Sequence, residues 1–304
     1  SPLVIVKKKN GERRICPDYR KLNNITIFDP HPMPSAQDLL NKLKGAKYFS
    51  KFDLSKGFWQ FNMRPEDREK TAFVTPDGQF QFLKMPFGLM NSSATLVRGL
   101  KEILGDMEDV ETYVDDIIVF SETWEDHMAT IEEVLKRMRN ANITLRPVKC
   151  ALGNTEIDFI GHKVTKGTIS PNSDNNIKIM KASKPTTKKQ VQAFLGLTGY
   201  YRSFIPNYAS ITASLSDLTR KGLPNTVKWE EKHDNAFEIL KRLLAEKPIL
   251  QLPDFNKIFI LRTDASSTGL GAVLLQENGN HLLPVSYASR KLTLSEKIIY
   301  YKLV

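Results

Sequence analysis

Two adjacent carboxylates, Asp115 and Asp116, lie inside an otherwise apolar stretch that runs from Tyr113 to Phe120. Most of their neighbours are β-branched, which predicts two short strands joined at the acidic pair. These neighbours are Val114, Ile117, Ile118 and Val119. An acidic pair at a turn is either the solvated tip of a hairpin or part of a divalent-metal site. Because Mg²⁺ is held by a few acidic oxygens plus substrate phosphates, a metal site here needs a further carboxylate.

Asp53 is the candidate for that carboxylate. It ends a strand-like alternation that begins at Tyr48, and it is followed by Leu54-Ser-Lys-Gly-Phe58. The residues by themselves support three carboxylates on strand ends. They leave both interpretations, solvated turn and metal site, open.

Basic residues are concentrated in two stretches on either side of these acids. Residues 1–24 contain seven Lys or Arg against two acids, and residues 175–216 contain six Lys or Arg and no acid. Over the whole chain, 44 basic and 34 acidic residues give a formal net charge of +10. Basic stretches that flank an acidic site suit a polyphosphate polymer. The alternative interpretation is a soluble basic protein without such a ligand.

Composition limits the class of protein. A length of 304 residues suggests two or more domains, and 41% hydrophobic with 26% charged residues is ordinary globular composition. The two cysteines, Cys16 and Cys150, indicate a reducing compartment and neither a disulfide framework nor a zinc site. No uncharged apolar run approaches the roughly 18–20 residues of a membrane span. We expect both ends of the sequence to be cuts in a longer polyprotein.

Local patterns predict the elements that position the acids. Asn10-Gly11 favours a hairpin turn between two N-terminal strands, and the three prolines of residues 29–34 exclude a helix. Three helices are predicted to begin at caps, which are Ser35, either Ser92 or Ser93, and Thr123. For the third helix we expect one buried face, formed by Met128, Ile131, Leu135 and Met138. Strands and helices that alternate around an acidic hairpin predict an α+β fold.

The pattern changes after Pro171 and becomes helical and basic. An apolar stripe of Val191, Phe194, Leu195 and Thr198 predicts a helix, and a further helix is expected over residues 234–244. Residues 258–263 and 271–276 are predicted to be strands of a new domain.

Several motifs occur in an order that resembles the palm of reverse transcriptases. These are Phe52–Phe58, Met85–Asn91 and Tyr113–Asp116. More narrowly, the chain resembles the polymerase in the Pol polyprotein of gypsy-type long-terminal-repeat retrotransposons. The similarity continues through Phe159–His162, Phe194–Arg202, Pro253–Phe255 and Thr263–Ser266, so it covers nearly the whole chain.

The resemblance implies a right-hand polymerase in three parts. Residues 1–165 would form a fingers remnant and a palm with an antiparallel sheet. Residues 166–255 would form the thumb and connection, and residues 256–304 a truncated ribonuclease H-like α/β segment. Asp264 matches the first carboxylate of that nuclease. The chain ends before the remaining acids, so independent RNA cleavage is not expected.

The resemblance also implies an activity, namely RNA-directed DNA polymerisation on an RNA or DNA template by two-metal nucleotidyl transfer. Asp53 and Asp115 would hold both Mg²⁺ ions, with Asp116 as an outer ligand and Mn²⁺ as a possible substitute. Other residues match positions that bind the nucleotide; they are Lys8, Arg14, Phe58, Phe87, Gly88 and Lys149. Phe58 replaces the usual Tyr of the steric gate against the ribose 2′-hydroxyl, and ordinary core packing is its alternative role.

Further matches concern the nucleic acid and the partners. Ile160, Gly161 and His162 match the hairpin that grips the primer terminus, and Lys188 with Lys189 would contact the nucleic-acid backbone. The implied partners are template–primer, dNTPs and the rest of the Pol polyprotein (protease, remaining ribonuclease H and integrase), without a membrane. The expected location is intracellular, in the cytoplasm within a virus-like particle or in the nucleus.

One motif departs from the family pattern. The family usually has Asn-Ala-Pro-Ala-Thr-Phe-Gln after the Pro-Phe-Gly-Leu motif, whereas this chain has Ser93, Leu96 and Val97 in place of the proline, the aromatic residue and the glutamine. This departure supports an alternative function, a catalytically inactive remnant that only binds nucleic acid. A cyclase or other palm-fold nucleotidyl transferase is disfavoured, because it would not explain Phe194–Arg202 or the ribonuclease H motif.

Overall fold

The computed structural model of the chain describes residues 1–7, 11, 13–267, 269–293 and 295–296, except for the side chains of residues 7, 14 and 15. The chain forms two compact units. The first unit comprises Ser1–Leu39 and Ala46–Thr155, and the second comprises Leu40–Gly45 and the chain from Glu156 onward. The predicted division into three parts at residues 165 and 255 remains a prediction.

The first unit contains eight strands and most of the predicted palm elements among its described residues. Its strands are β1 (Leu3–Lys7), β2 (Arg13–Pro17), β3 (Tyr48–Asp53), β4 (Phe73–Thr75), β5 (Gly78–Phe80), β6 (Val110–Tyr113), β7 (Asp116–Ser121) and β8 (Ala151–Asn154). Its helices are α1 (Arg20–Asn23), α2 (Ala36–Lys42, which extends into the second unit), α3 (Ser92–Leu104) and α4 (Trp124–Asn140). Residues 27–35 form neither helix nor strand, as the prolines predict.

An antiparallel sheet with the order β6-β7-β3-β8 carries the acidic residues. The predicted strand pair on either side of Asp115 is confirmed as β6 and β7. Helices α3 and α4 pack against this sheet and bury an apolar cluster. The cluster includes Phe52, Leu96, Leu100, Ile117, Val119 and Val134, each at most 2% exposed. Two residues of the sheet's acidic edge, Asp53 and Asp116, are therefore the ends of strands whose middles are anchored in a core.

The predicted helix caps are correct in two cases and wrong in one. The Ser35 hydroxyl accepts a hydrogen bond from Asp38 N (3.1 Å), and the Thr123 hydroxyl accepts one from Asp126 N (3.2 Å). The prediction of Ser92 or Ser93 as the cap of α3 is wrong, because the helix begins at Ser92 and its N-cap is Asn91. The Ser92 hydroxyl instead donates to the carbonyl of Pro86 (3.2 Å).

The buried face of α4 differs from the predicted one. Its buried residues are His127, Ile131, Val134 and Met138, whereas Met128 and Leu135 are 47% and 40% exposed. The buried residues follow the helical spacing of three and four. The prediction missed this face because His127 is polar. Its ring nitrogens lie 2.8 Å from Ser50 Oγ and 3.3 Å from Ser121 Oγ, and these two contacts make its burial possible.

Among its described residues, the second unit contains two antiparallel sheets. The first has the order β12-β11-β10-β9 and consists of β9 (Glu156–Phe159), β10 (His162–Thr165), β11 (Thr168–Pro171) and β12 (Leu250–Gln251). The helices are α5 (Ser173–Met180), α6 (Lys188–Gly199), α7 (Tyr208–Ile211), α8 (Ala213–Asp217) and α9 (Glu231–Ala245). The second sheet is β13 (Ile260–Ala265), β14 (Gly269–Asn278) and β15 (His281–Lys291).

The predicted stripe on α6 is confirmed for Val191, Phe194 and Thr198, which are buried, whereas Leu195 is half-buried. A capping box of Thr187 and Gln190 starts this helix. The two predicted strands near residues 258 and 271 are present as β13 and β14. The bounds of β13 are shifted by two residues, and β14 is two residues longer at each end than predicted. Within the described part of the chain, no helix is long and apolar enough to span a membrane.

Candidate active site

The turn between β6 and β7 places Asp115 at an exposed tip. Val114 precedes it with φ of +56°, in the left-handed region. This conformation is an outlier for a β-branched residue, and such strain concentrates at functional sites. The turn therefore holds Asp115 in a position that local sequence preferences alone would not produce.

Asp53 and Asp116 lie directly opposite each other on neighbouring strands, because β3 and β7 pair in that register. Side chains in such a pair share one face of the sheet, with Cβ atoms roughly 4.5–5.5 Å apart. Two like charges in this position destabilise a sheet unless positive charge compensates them. Positive charge near this pair therefore stabilises the sheet.

Two lysines supply that charge in the structure. Lys51 Nζ lies 2.7 Å from Asp116 Oδ2, and Lys149 Nζ lies 3.1 Å from Asp53 Oδ2. Lys51 precedes Asp53 by two residues on β3, so both side chains lie on the same face. Lys149 is among the predicted nucleotide-binding residues, whereas Lys51 is not. The spacing of two residues before Asp53 was the signal that could have identified it.

The three acidic side chains have the hard oxygen donors that Mg²⁺ prefers. Within the described residues, no three acidic, histidine or cysteine side chains gather closely enough to hold a metal ion. Asp53 and Asp116 are engaged by lysine ammonium groups, which occupy oxygens that a cation would use. The donor set fits a divalent cation, and binding one requires these carboxylates to exchange lysine for metal.

A short 3₁₀ helix, Gly57–Gln60, lies next to the acidic turn. A Cβ built on Gly57 would stand 3.6 Å from the Asp115 Cβ, which is ordinary van der Waals contact. Phe58 is half-buried against the core of the first unit, and the Phe87 ring meets it edge to face at 5.1 Å between centroids. The predicted gate residue and the predicted residue beneath the base pair are thus neighbours.

Gln60 fixes this helix to the rest of the first unit. Its amide nitrogen donates to the carbonyls of Ser55 and Thr144, both at 2.8 Å, and its amide oxygen accepts from Thr144 N at 2.6 Å. Gln60 and Thr144 are 84 residues apart in sequence, so sequence analysis could not identify this contact. The bonds make Gln60 a positioning residue for the segment that carries Phe58.

Of the remaining predicted nucleotide-binding residues, the structure describes Gly88 and only the backbone of Arg14. Gly88 is exposed with φ of +93°, and its carbonyl accepts a hydrogen bond from Asn23 Nδ2 at 2.9 Å. Arg14 lies on β2 opposite Val6, and its side chain is outside the described part of the structure. Lys8 and most of the predicted Asn10-Gly11 turn are also outside the described residues.

The segment that is predicted to grip the primer forms a hairpin in the second unit, and its role stays a prediction. Ile160 and Gly161 form its two-residue turn between β9 and β10, with φ of +44° and +69°. Positive φ at both turn residues is the geometry that matches the twist of antiparallel strands. His162 is 6% exposed, and its burial lowers the pKa of the imidazole. The ring therefore supports the turn from inside and does not face solvent.

A sequence model of a known family covers more than half of the chain. The model "Reverse transcriptase (RNA-dependent DNA polymerase)" matches residues 5–164 of the 304. The chain belongs to the reverse transcriptase family. A second model, "RNase H-like domain found in reverse transcriptase", matches residues 229–301. This match begins 27 residues before residue 256, where sequence analysis placed the start of the nuclease segment.

Curated relatives are Pol polyproteins of retrotransposons. The chain is 44% identical over 300 residues to the Retrovirus-related Pol polyprotein from transposon 297 of Drosophila melanogaster, with 96% of this chain and 28% of the relative covered. It is 32% identical over 295 residues to the Transposon Tf2-3 polyprotein of Schizosaccharomyces pombe, with 96% and 22% covered. The chain thus spans less than a third of the length of these relatives.

Solved structures support the same relationship. A foamy viral protease-reverse transcriptase in complex with double-stranded DNA matches with a TM-score of 0.90 and 28% identity, over 97% of this chain and 52% of that one. The same kind of protein in complex with an RNA/DNA hybrid matches with a TM-score of 0.86 and 28% identity, over 97% and 40% of the two chains. The predicted right-hand polymerase fold with mixed helices and sheets is confirmed.

Two of the three departures from the reverse transcriptase motif are buried, whereas Ser93 is exposed. Leu96 and Val97 are 0% and 3% exposed on α3, and Ser93 occupies the second position of that helix. A buried valine at residue 97 presents no surface to a ligand. The catalytically inactive remnant that this departure supports stays an alternative.

The two predicted backbone-contacting lysines differ in their surroundings. Lys188 is half-buried and donates from Nζ to the carbonyl of Arg220 at 2.7 Å, whereas Lys189 is exposed. Asp264 is exposed on β13, opposite Gly271 of β14. Glu296 is paired with Arg290, with Nη2 to Oε1 at 2.8 Å.

Proposed function

We propose that this chain is the polymerase part of a retrotransposon Pol polyprotein and extends a DNA primer on an RNA or DNA template. The observation that carries the proposal is the placement of Asp53 opposite Asp116, with Asp115 at the adjoining tip, inside a sequence that matches the reverse transcriptase family. Carboxylates crowded on strand ends, with lysines as counter-ions, are suited to exchange those lysines for divalent cations. The released lysines would then be available to pair with phosphates.

Asp53, Asp115 and Asp116 are the residues that would hold two Mg²⁺ ions, and Mn²⁺ has the same hard-oxygen preference. When bound, such ions lower the pKa of the primer 3′-hydroxyl and stabilise the departing pyrophosphate. Lys149, adjacent to Asp53, adds positive charge for the triphosphate. Phe58 excludes the ribose 2′-hydroxyl, while Lys8 and Arg14 bind phosphate and Phe87 with Gly88 support the base pair.

The proposed partners follow from the chemistry and from the relatives. The structural relatives were determined with double-stranded DNA and with an RNA/DNA hybrid. For this chain we propose template–primer bound by the turn at Ile160–His162 and by the acid-free basic region, with dNTPs as substrates. The rest of the Pol polyprotein is the proposed protein partner, and a virus-like particle in the cytoplasm, or the nucleus, is the proposed location. Independent RNA cleavage through Asp264 is not part of the proposal.

Primer extension on poly(rA)/oligo(dT) with Mg²⁺ or Mn²⁺ tests the proposal. Template–primer affinity is measured in parallel by fluorescence anisotropy. Extension that requires the divalent ion supports a polymerase. Tight binding without extension under either ion would favour the inactive remnant, and neither binding nor extension would reject both functions.

A further inference from the structure

The two carbonyl groups of the Ile160–Gly161 turn are held by consecutive tyrosine hydroxyls. Tyr200 Oη donates to the Ile160 carbonyl at 2.7 Å, and Tyr201 Oη donates to the Gly161 carbonyl at 2.6 Å. Each carbonyl also accepts a second hydrogen bond. His162 Nδ1 donates to the first at 2.7 Å, and a backbone amide, Asn172 N, donates to the second at 3.1 Å. Four hydrogen bonds on two carbonyls fix the orientation of the turn.

Contacts with the tyrosines also restrict the turn sterically. A Cβ built on Gly161 would stand 3.2 Å from Tyr200 Cε1 and 3.3 Å from Tyr201 Oη. These distances are shorter than ordinary van der Waals contacts. The φ of +69° at residue 161 also favours glycine. The turn thus lies directly against both tyrosines.

Asn175 sets the direction of one of these bonds. Tyr201 is 0% exposed, and its hydroxyl accepts a hydrogen bond from Asn175 Nδ2 at 2.8 Å. Since a hydroxyl has one proton, this arrangement leaves that proton for the Gly161 carbonyl. The two successive hydrogen bonds, from Asn175 to Tyr201 and from Tyr201 to Gly161, therefore point in the same direction.

Both tyrosines immediately follow α6, and Tyr200 is its C-cap residue. The N-terminal end of the same helix carries Lys188 and Lys189. A movement of this helix would therefore move the tyrosines that hold the turn.

We propose that Tyr200 and Tyr201, polarised by Asn175, are positioning residues that orient the Ile160–Gly161 turn for the primer terminus. The inference rests on the proposed polymerase function, which places the primer terminus at this turn. Because the tyrosines act on the turn's orientation, they govern the rate at which a bound primer is extended more than they govern how tightly template–primer binds.

The first test compares Tyr200→Phe, Tyr201→Phe and the double variant with the parent chain. Single-turnover extension should slow by about two- to tenfold for each hydroxyl, the range expected for loss of one neutral hydrogen bond. Template–primer Kd should stay within twofold. Tyr208→Phe is the matched control, because its hydroxyl contacts Thr198 Oγ1 and the Leu195 carbonyl on the same helix and not the turn. A rate loss equal to that of the control, or a proportional loss of affinity, would overturn the inference.

The second test uses the polarity of the bond. Asn175→Asp replaces the donor by an acceptor, which draws the Tyr201 proton away from Gly161, whereas Asn175→Ala only removes the donor. We expect extension to be slower in Asn175→Asp than in Asn175→Ala. The thermal midpoint of Asn175→Asp should not fall below that of Asn175→Ala, because an acid in the first turn of α5 is favourable. An Asn175→Asp variant as active as Asn175→Ala would show that the bond direction has no role.

Hydrogen–deuterium exchange separates this inference from the proposed function. In peptides that cover residues 157–165, exchange should accelerate in Tyr200→Phe and Tyr201→Phe and stay unchanged in Tyr208→Phe. If the parent extends no primer, the polymerase proposal fails and the positioning role fails with it, while faster exchange would still show that the tyrosines hold the turn. If the parent extends primers and exchange is unaltered, the tyrosine inference alone is wrong.

Discussion

At the scale of single residues, the site is organised by charge compensation on one face of a sheet. Asp53 and Asp116 oppose each other, and Lys149 and Lys51 each neutralise one of them. Asp115 is not paired with a residue of a neighbouring strand, since it lies in the exposed turn after a strained Val114. The three acids therefore lie in different environments, and substitution can test whether their roles differ.

Asp115→Asn should abolish primer extension, with a loss of about a thousandfold or more, because an amide is a poor ligand for a hard divalent cation. Template–primer affinity should stay within a few fold of the parent, since the proposed backbone contacts lie in the basic stretches and not at Asp115. Steady-state extension and anisotropy measure the two quantities. Asp77→Asn, in an exposed turn, is the control for loss of one negative charge. Equal losses of binding and activity would contradict this separation of roles.

Lys51→Met should destabilise the first unit by about 1 kcal/mol, because it leaves Asp116 unpaired opposite Asp53. The loss of stability in Lys51→Met should be larger with EDTA than with saturating Mg²⁺, since a bound cation would replace the ammonium charge of Lys51. Urea unfolding in both conditions measures the difference. Lys166→Met, in the exposed turn between β10 and β11, should show no Mg²⁺-dependent change. A loss that is identical with and without Mg²⁺ would mean that Lys51 does not share a site with the metal.

Phe58→Val should admit ribonucleotides, because removal of the ring leaves room for a 2′-hydroxyl. The ratio of dTTP to rUTP incorporation should fall by orders of magnitude, with dTTP turnover much less affected. Phe61→Val is the matched control, since Phe61 also packs at the edge of the same apolar cluster. If both variants change the ratio equally, Phe58 is a core residue and the gate lies elsewhere.

At the scale of elements, helix α4 and strand β10 each contain a buried histidine. His127 on α4 is fully buried between Ser50 and Ser121, and His162 on β10 is packed among the rings of Tyr200, Tyr201 and Phe204. Burial lowers the pKa of both imidazoles. Each ring is therefore neutral where it packs.

Both histidines should make folding sensitive to acid. Their folded pKa values lie below the unfolded value of about 6.5, so the unfolded chain binds more protons as the pH falls. Their contribution to stability is complete above pH about 6.5 and is lost as the pH falls through that value toward the folded pKa. Urea unfolding over a pH series should show this decline, and His127→Asn should make it shallower. An equally steep decline in His127→Asn would exclude His127 as a contributor.

At the scale of the whole molecule, positive charge is concentrated where the sequence lacks acids. Residues 175–216 contain no acid, while the chain as a whole carries a formal net charge of +10. The structure separates the lysines in this region by function, because Lys188 is bound to the Arg220 carbonyl and Lys189 is exposed. Net charge alone could not make that distinction.

Lys189→Ala should lower template–primer affinity and reduce the slope of log K against log[salt] by about one unit, as expected for one lost phosphate contact. Lys188→Ala should change the slope less and should lower stability instead, since it removes a hydrogen bond to the Arg220 carbonyl. Anisotropy titrations at several salt concentrations, with thermal unfolding, measure both effects. An unchanged slope in Lys189→Ala would make this lysine part of a solvated helix face.

The sequence by itself determined the family, the strand ends that carry the acids and the caps of α2 and α4, because these depend on motif order and on contacts within a few residues. It did not determine the cap of α3, where the Asn91 side chain donates to the Ile27 carbonyl. It also did not determine the buried face of α4, where the buried His127 ring contacts the hydroxyls of Ser50 and Ser121. Only the tertiary structure decided the lysine partners of Asp53 and Asp116, the Gln60 bridge and the tyrosines on the Ile160–Gly161 turn. These contacts join residues up to 96 positions apart, such as Lys149 and Asp53, and they arise from strand register and helix packing. Local propensity carries no information about which distant side chain will meet a given carboxylate or carbonyl.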